Sequence, residues 1–323
     1  MKLNYMSLST PSTLACMLLA VMLLTAGCRK EKSTGPSDLD QNYFVIEDNP
    51  NDPIDHSIYE FYKSTGIASF YNDTIYKRKV SKENEYPERY TYVTLSLEYM
   101  PLENIWTYHV PLSSREKIPA LLDLMKTDVV PKLPDVRLFP SILLIDSFIN
   151  YINTNIQVSH GWTTLYGFNT LGLVVKDVEA MSSADRKMYA ASILAGIAEK
   201  RVNKVTGTRV QNEFLSVSRE ASKNLFPFEV DIYYGIPFIY LIPPDQIPPP
   251  NDIGFLFYPT FDMGGFLVDN MLRETDDIRA YLTAVFYYTE QEFADLHPNQ
   301  TLLLKKFNSM RSFAKEAGFK IPE

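Results

Sequence analysis

The chain has 323 residues, with 31 Lys and Arg against 39 Asp and Glu, for a net charge of −8. An acidic chain without a basic cluster excludes nucleic acid as a partner, because phosphate binding needs concentrated Lys and Arg. Its 46% apolar and 13% aromatic residues allow a packed core. The two cysteines, Cys16 and Cys28, both lie near the N-terminus, so the body holds together without disulfides.

Lys2 is the only charge before Arg29, and an apolar run from Leu14 to Leu24 follows it. That run is too short to span a bilayer as a helix, which takes about 20 apolar residues. A positive start, a short apolar core and small residues at its end describe a secretory leader over residues 1–27. The run ends Leu24-Thr25-Ala26-Gly27-Cys28, which resembles the lipobox of bacterial lipoproteins, although Thr25 stands where Leu is usual. That resemblance implies cleavage after Gly27 and a lipid on Cys28, including palmitate. It places the protein in the cell envelope, at the outer membrane, with the membrane as a partner through Cys28. The alternative is an ordinary leader with an incidental Cys. Residues 28–42 are polar and nearly free of large apolar groups, so they cannot offset their own ordering entropy and read as a lipidated tether. Residues 43–323 remain as a globular domain.

Asp55 is a candidate cap for a short helix with Ile58, Phe61 and Tyr62 on its apolar face, closed by Gly66. Ile67–Tyr71 reads as a strand. Residues 88–99 alternate and predict a second strand, with residues 104–110 as its hairpin partner and Pro101-Leu102-Glu103 at the turn. Ser113 and Glu116 have capping-box spacing before Ile118, Leu121, Leu122 and Met125, with Pro119 kinking or delaying that helix. Residues 141–148 and 170–175 read as buried strands, joined by a polar connection that holds Trp162. The clearest helix covers residues 184–201, apolar on nearly every side from Met188 to Ala198 and therefore buried. Residues 210–223 predict another helix. The five prolines in residues 241–250 predict irregular chain, and two helices follow near 276–295 and 300–317. With no repeat and no composition break, the body reads as a single α+β domain.

The order of these elements is similar to the zinc-binding metallopeptidase lipoproteins of Gram-negative gut anaerobes. The pieces that carry the likeness are Ile58–Tyr62 running into Ile67–Tyr71, Val110–Pro119, Ile142–Ile145, Leu171–Val175, Gly254-Phe255 with Tyr258, and Leu304–Phe307 through Ile321. The resemblance implies a zincin-like fold. It also implies a His-Glu-x-x-His helix, in which two imidazoles one turn apart hold zinc and Glu polarises the bound water. In the register of the preceding elements that helix is Met188–Arg201, and the motif positions are Leu194, Ala195, Gly196, Ile197 and Ala198. None is a metal ligand. The downstream acidic element falls on Gly264–Val268, without a carboxylate, or in a rival register on Gln291–Asp295.

The four histidines, His56, His109, His160 and His297, include no pair at i,i+3 or i,i+4. They read as a helix-start residue, a strand residue and two loop residues. No nucleophile elbow or phosphate loop is present. Asp276-Asp277 suits a solvated helix N-terminus, where negative charge is favoured. Tyr233, Tyr234, Phe238, Tyr240 and Trp162 either stack on sugar rings or fill the core. The expectation is a metallopeptidase-like pseudoenzyme with no cofactor and no metal, binding a protein or glycan ligand or serving an envelope complex. The alternative is a hydrolase, acting on peptide or glycan, with a carboxylate- or Ser-based site.

Overall fold

The computed structural model describes residues 42–81, 83–84, 86–97, 107–134, 138–150 and 158–323. The expected leader, Cys28, the tether up to residue 41 and the expected turn at Pro101-Leu102-Glu103 lie outside them. Helices alternate with short strands in small sheets, an α+β fold. Tyr43–Glu323 packs as one unit, and no helix among the described residues is long and apolar enough to cross a membrane.

The sheet grows from Ser141–Asn150 (β5). Its apolar run places Ile142 and Leu144 in the main core, and Leu143 and Ile145 in a smaller cluster on the other face with Leu95 and Leu97. A strand buried on both faces reads as continuous apolar sequence, as this one does. The start of β5 pairs in parallel with Ala68–Phe70 (β1) and with Leu171–Val174 (β7). Thr164–Tyr166 (β6) closes the β7 edge antiparallel. This strand lies in the segment read as a polar connection; three residues between Gly161 and Gly167 are too few to show alternation.

The expected hairpin of residues 88–99 with 104–110 does not form. Tyr90–Thr94 (β3) pairs instead with Thr74–Lys79 (β2), and Thr107–Pro111 (β4) pairs antiparallel with β5. The later half of β5 supplies a long ladder that β4 satisfies, whereas β3 finds its partner nearby in sequence.

Three helix starts also differ from expectation. Asp52, not Asp55, caps Pro53–Thr65 (α1), accepting from the amides of Ile54 and Asp55 at 2.9 and 3.2 Å. Pro53 then sits at the first helical position, where its missing N–H costs nothing. Gly66 closes the helix in the left-handed region, at φ 73. The Ser113–Glu116 capping box is absent: the Ser113 amide donates to Asp146 at 3.1 Å, and the helix waits until Ile118–Leu124 (α2). The single helix expected at 276–295 is two, Glu274–Tyr287 (α5) and Glu290–Leu296 (α6). Thr289 and Glu292 form a reciprocal cap between them, with bonds of 2.8 and 3.1 Å.

Ser183–Thr206 (α3) follows β7 and is capped by Ser182, which accepts from the Asp185 amide at 3.2 Å. Tyr189 donates its hydroxyl to the Val174 carbonyl, fixing the helix to the strand before it. Residues 210–215 wind as a π-helical turn into Ser216–Ser222 (α4). Thr260–Asp262 (β8) and Leu267–Asp269 (β9) form a small hairpin, and Thr301–Glu316 (α7) ends the fold. The main core gathers α3, α5, α7 and one sheet face, with Leu194, Ile197, Tyr281, Phe286 and Phe307 at 0–1% exposure.

Ile197 has no exposed surface. Ile197→Ala should lower unfolding free energy by about 2–5 kcal/mol in urea titrations, the cost of a large-to-small change in a core. A change near zero would show that α3 is not the buried element described.

Candidate functional site

The five positions Leu194, Ala195, Gly196, Ile197 and Ala198 are all buried on α3, and the four with side chains show 0% exposure. Gly196 meets β6 so closely that a Cβ would stand 1.8 Å from Thr164 Oγ1. The helix turns polar one position later. Glu199 accepts from Arg279 Nε of α5 at 2.6 Å, both side chains being largely buried. Arg279 Nη1 reaches the Thr164 carbonyl at 2.9 Å, and the guanidinium lies 4.3 Å from the centre of the Trp162 ring. Gly161 admits α5 here, since a Cβ would come within 2.8 Å of Arg279 Cβ. Trp162 is therefore half-buried under a cation and is not an open stacking face.

Beyond Glu199 the C-terminal part of α3 borders a cleft of about 560 Å³. Glu199, Asn203 and Gly207 recur every four residues and so share one side of the helix. The opposite wall is Arg273, Glu274 and Thr275 at the start of α5, and Gln211, Tyr233 and Tyr234 complete it. Glu274 accepts from Gln211 Nε2 at 2.9 Å and from Arg219 Nη2; Arg219 also holds Asp231 at 2.9 Å.

Behind Tyr233 lies a second polar cluster. Lys306 on α7 donates to Asp277 at 2.5 Å and to Ser218 Oγ at 2.9 Å, while the Tyr233 hydroxyl donates to Asp277 at 2.6 Å. The rings of Phe214, Phe255 and Tyr281 surround the ammonium, with centres 4.5, 5.0 and 4.8 Å away. Burial pushes Lys306 down to about 8 and Asp277 up, against their mutual attraction, so both are driven toward the neutral form. A Ser next to a Lys of lowered pKa is an arrangement for nucleophile activation. Neither has any exposed surface, and Gly254 packs over both. The cluster works as an internal tie. The expectation that Asp276-Asp277 is a solvated helix start is overturned: each is 1% exposed, Asp276 accepting from the Arg273 amide at 3.0 Å and Asp277 paired with Lys306.

The other expected residues remain separate. Glu292 is engaged in the α6 cap, and Asp295 accepts from Gln291 at 2.7 Å. Gly264–Val268 covers the turn of the β8–β9 hairpin and most of β9, with Phe266 and Leu267 exposed. His56 pairs with Asp48 at 2.7 Å, and His297 ends α6 with a 2.9 Å bond to Gln300. His109 stands opposite Phe148 in the β4–β5 ladder, and His160 stacks on Phe257 at 3.5 Å. Among the described residues, no three His, Cys, Asp or Glu stand together in a way that would hold a metal. Of the aromatic set, Tyr233 and Phe238 are buried, whereas Tyr234 and Tyr240 are 67% and 58% exposed.

Sequence reasoning missed Glu199, Asn203, Arg273, Arg279 and Lys306. The first two carried a signal, polar residues four apart at the end of an apolar helix. Lys306 carried none, because Leu-Lys-Lys-Phe reads as an ordinary amphipathic face. No family model, curated protein or solved structure matches the chain.

Burial holds His160 down to about 4, from an ordinary 6.5. The folded value lies below the unfolded one, so on acidification the unfolded chain takes up this proton first. The stabilisation is complete above about pH 6.5 and is lost as pH falls toward 4, by at most about 3 kcal/mol. His56, raised by its bond to Asp48, tilts the opposite way. His160→Phe should flatten the loss of stability between pH 6.5 and 4 in denaturant titrations; an unchanged slope would assign it to other groups.

Proposed function

We propose that this chain is a lipid-anchored envelope protein whose zincin-like domain binds a ligand instead of hydrolysing one. The observation that carries the reading is the burial of Leu194–Ala198. A catalytic zinc needs three protein ligands and an open position for water. Here the five positions that the resemblance assigns to the motif are apolar, packed and without surface. Apolar filling is the expected fate of a metal pocket that no longer has to stay wet. The frame is also compatible with the resemblance: the two strands likened to those before the metal helix, β5 and β7, are neighbours, and β7 leads into α3.

The ligand site in this reading is the polar cleft beyond Glu199, with Tyr234 at its wall. The anchor is a diacylglyceryl group on Cys28, and residues 29–42 give the domain reach from the outer membrane. The ligand is a protein or a glycan of the envelope. A hydrolase built on Ser218 and Lys306 is disfavoured by their complete burial.

Labelling cells with a palmitate analogue and assaying zinc on the same purified protein tests both halves. Wild type should carry lipid, Cys28→Ala should not, and zinc should remain well below one equivalent after dialysis. Unchanged detergent partitioning of Cys28→Ala would refute the anchor. Stoichiometric zinc with peptidase activity would refute the binding role.

A further inference from the structure

Most of the charges around the cleft are paired with one another. Glu199 is held by Arg279, and Glu274 by Arg219 and Gln211. Arg273 lines the same cleft, yet among the described residues no carboxylate pairs with its guanidinium. Its Nη1 is buried without a hydrogen bond, and so is the hydroxyl of Thr275 two residues on. Buried donors in native proteins are nearly always satisfied, and both of these belong to residues that line one cleft, where a group from outside the chain would meet them.

The backbone around Arg273 is built to carry it. Gly235 has φ 74, a left-handed conformation, and a Cβ there would stand 3.0 Å from Arg273 Cγ and 3.1 Å from Nε. The neighbouring segments are tied together by Met271 N to Ile236 O at 2.9 Å and Asn270 Nδ2 to the Gly235 carbonyl at 3.3 Å. The stem of Arg273 therefore lies on bare, fixed backbone, where any side chain at Gly235 would crowd it.

We propose that Arg273 and Thr275 bind the carboxylate of a sugar acid, an inference that rests on the cleft being the ligand site. A guanidinium offers two parallel N–H groups that match a carboxylate, and the Thr275 hydroxyl adds a third donor. Glu199 and Glu274 flank the position, which favours a monoanion over a phosphate dianion because repulsion scales with the ligand's charge. The exposed face of Tyr234 suits the flat side of a pyranose ring, and Asn203 offers an amide to ring hydroxyls. A uronic-acid residue uses all of these groups at once.

The experiment is NMR titration and calorimetry on the full-length protein in detergent micelles, with glucuronate, glucuronamide, N-acetylglycine and N-acetylglycinamide as probes. Glucuronate should shift signals of the cleft and bind roughly tenfold or more tightly than glucuronamide, the loss expected for a charge-assisted bond. Arg273→Gln should weaken glucuronate by roughly ten- to a hundredfold and leave glucuronamide nearly unchanged. Equal binding of acid and amide, both lost in Tyr234→Ala, would overturn the carboxylate claim and leave the cleft reading standing. N-acetylglycine matching glucuronate would overturn the sugar and keep the carboxylate. Cleft signals that no probe shifts would overturn the inference and the cleft reading together. Should Arg273→Gln not fold, the comparison of acid with amide on wild type decides the matter alone.

Discussion

The bridge from Arg279 to Glu199 and to the Thr164 carbonyl is the interaction on which this side of the molecule depends. It joins three elements that are far apart in sequence: the edge strand β6, the central helix α3 and the later helix α5. An edge strand presents unpaired carbonyls, and here a guanidinium meets one of them. A buried pair of this kind contributes little net stability against an apolar replacement, but losing one partner leaves a buried charge and costs about 3–5 kcal/mol. The pair therefore fixes where α5 lies more than how tightly it is held. Gly161 permits the approach, and the Trp162 ring covers the cation.

Two residues earlier on α5, Asp277 turns to Lys306 of α7. Positions two apart on a helix point to nearly opposite sides, so one helix is tied by buried polar bonds in both directions. Every residue from Ile278 to Phe286 is buried, and apart from Arg279 and Thr283 the stretch is apolar. A helix held in this way makes a rigid wall. The cleft takes shape at its N-terminal end, where the two ties stop and, among the described residues, no carboxylate pairs with the Arg273 guanidinium. The strongly perturbed, reactive-looking groups are sealed inside, and the cleft presents the Glu274 carboxylate and the exposed ring of Tyr234.

Much of the frame was legible in the sequence, for identifiable reasons. Buried strands β5 and β7 announced themselves by unbroken apolar runs, and α3 by an apolar surface on all sides with Ser182 before it. Cys16 and Cys28 left the body without sulfur chemistry by position alone. What stayed hidden was pairing over distance. The partner of Tyr90–Thr94 depends on which strand the rest of the fold presents, and β2 looked too basic to be noticed. The break at Thr289 was written as Thr-x-x-Glu and went unread because the apolar spacing continued past it. The site was the least legible part. Arg273, Arg279 and Lys306 look like any surface cation until the fold shows which of them are buried, and what each one touches.

Hydrogen exchange on Arg279→Met tests whether the Arg279 bridge closes the edge strand onto α3. The amides of Thr164–Tyr166 and of residues 194–199 should lose protection relative to wild type, while those of Ile142–Ile145 keep theirs, because the central strand is paired on both sides independently of α5. Unchanged protection at Thr164–Tyr166 would contradict the claim and show that packing alone, without the charge, holds α5 over the edge.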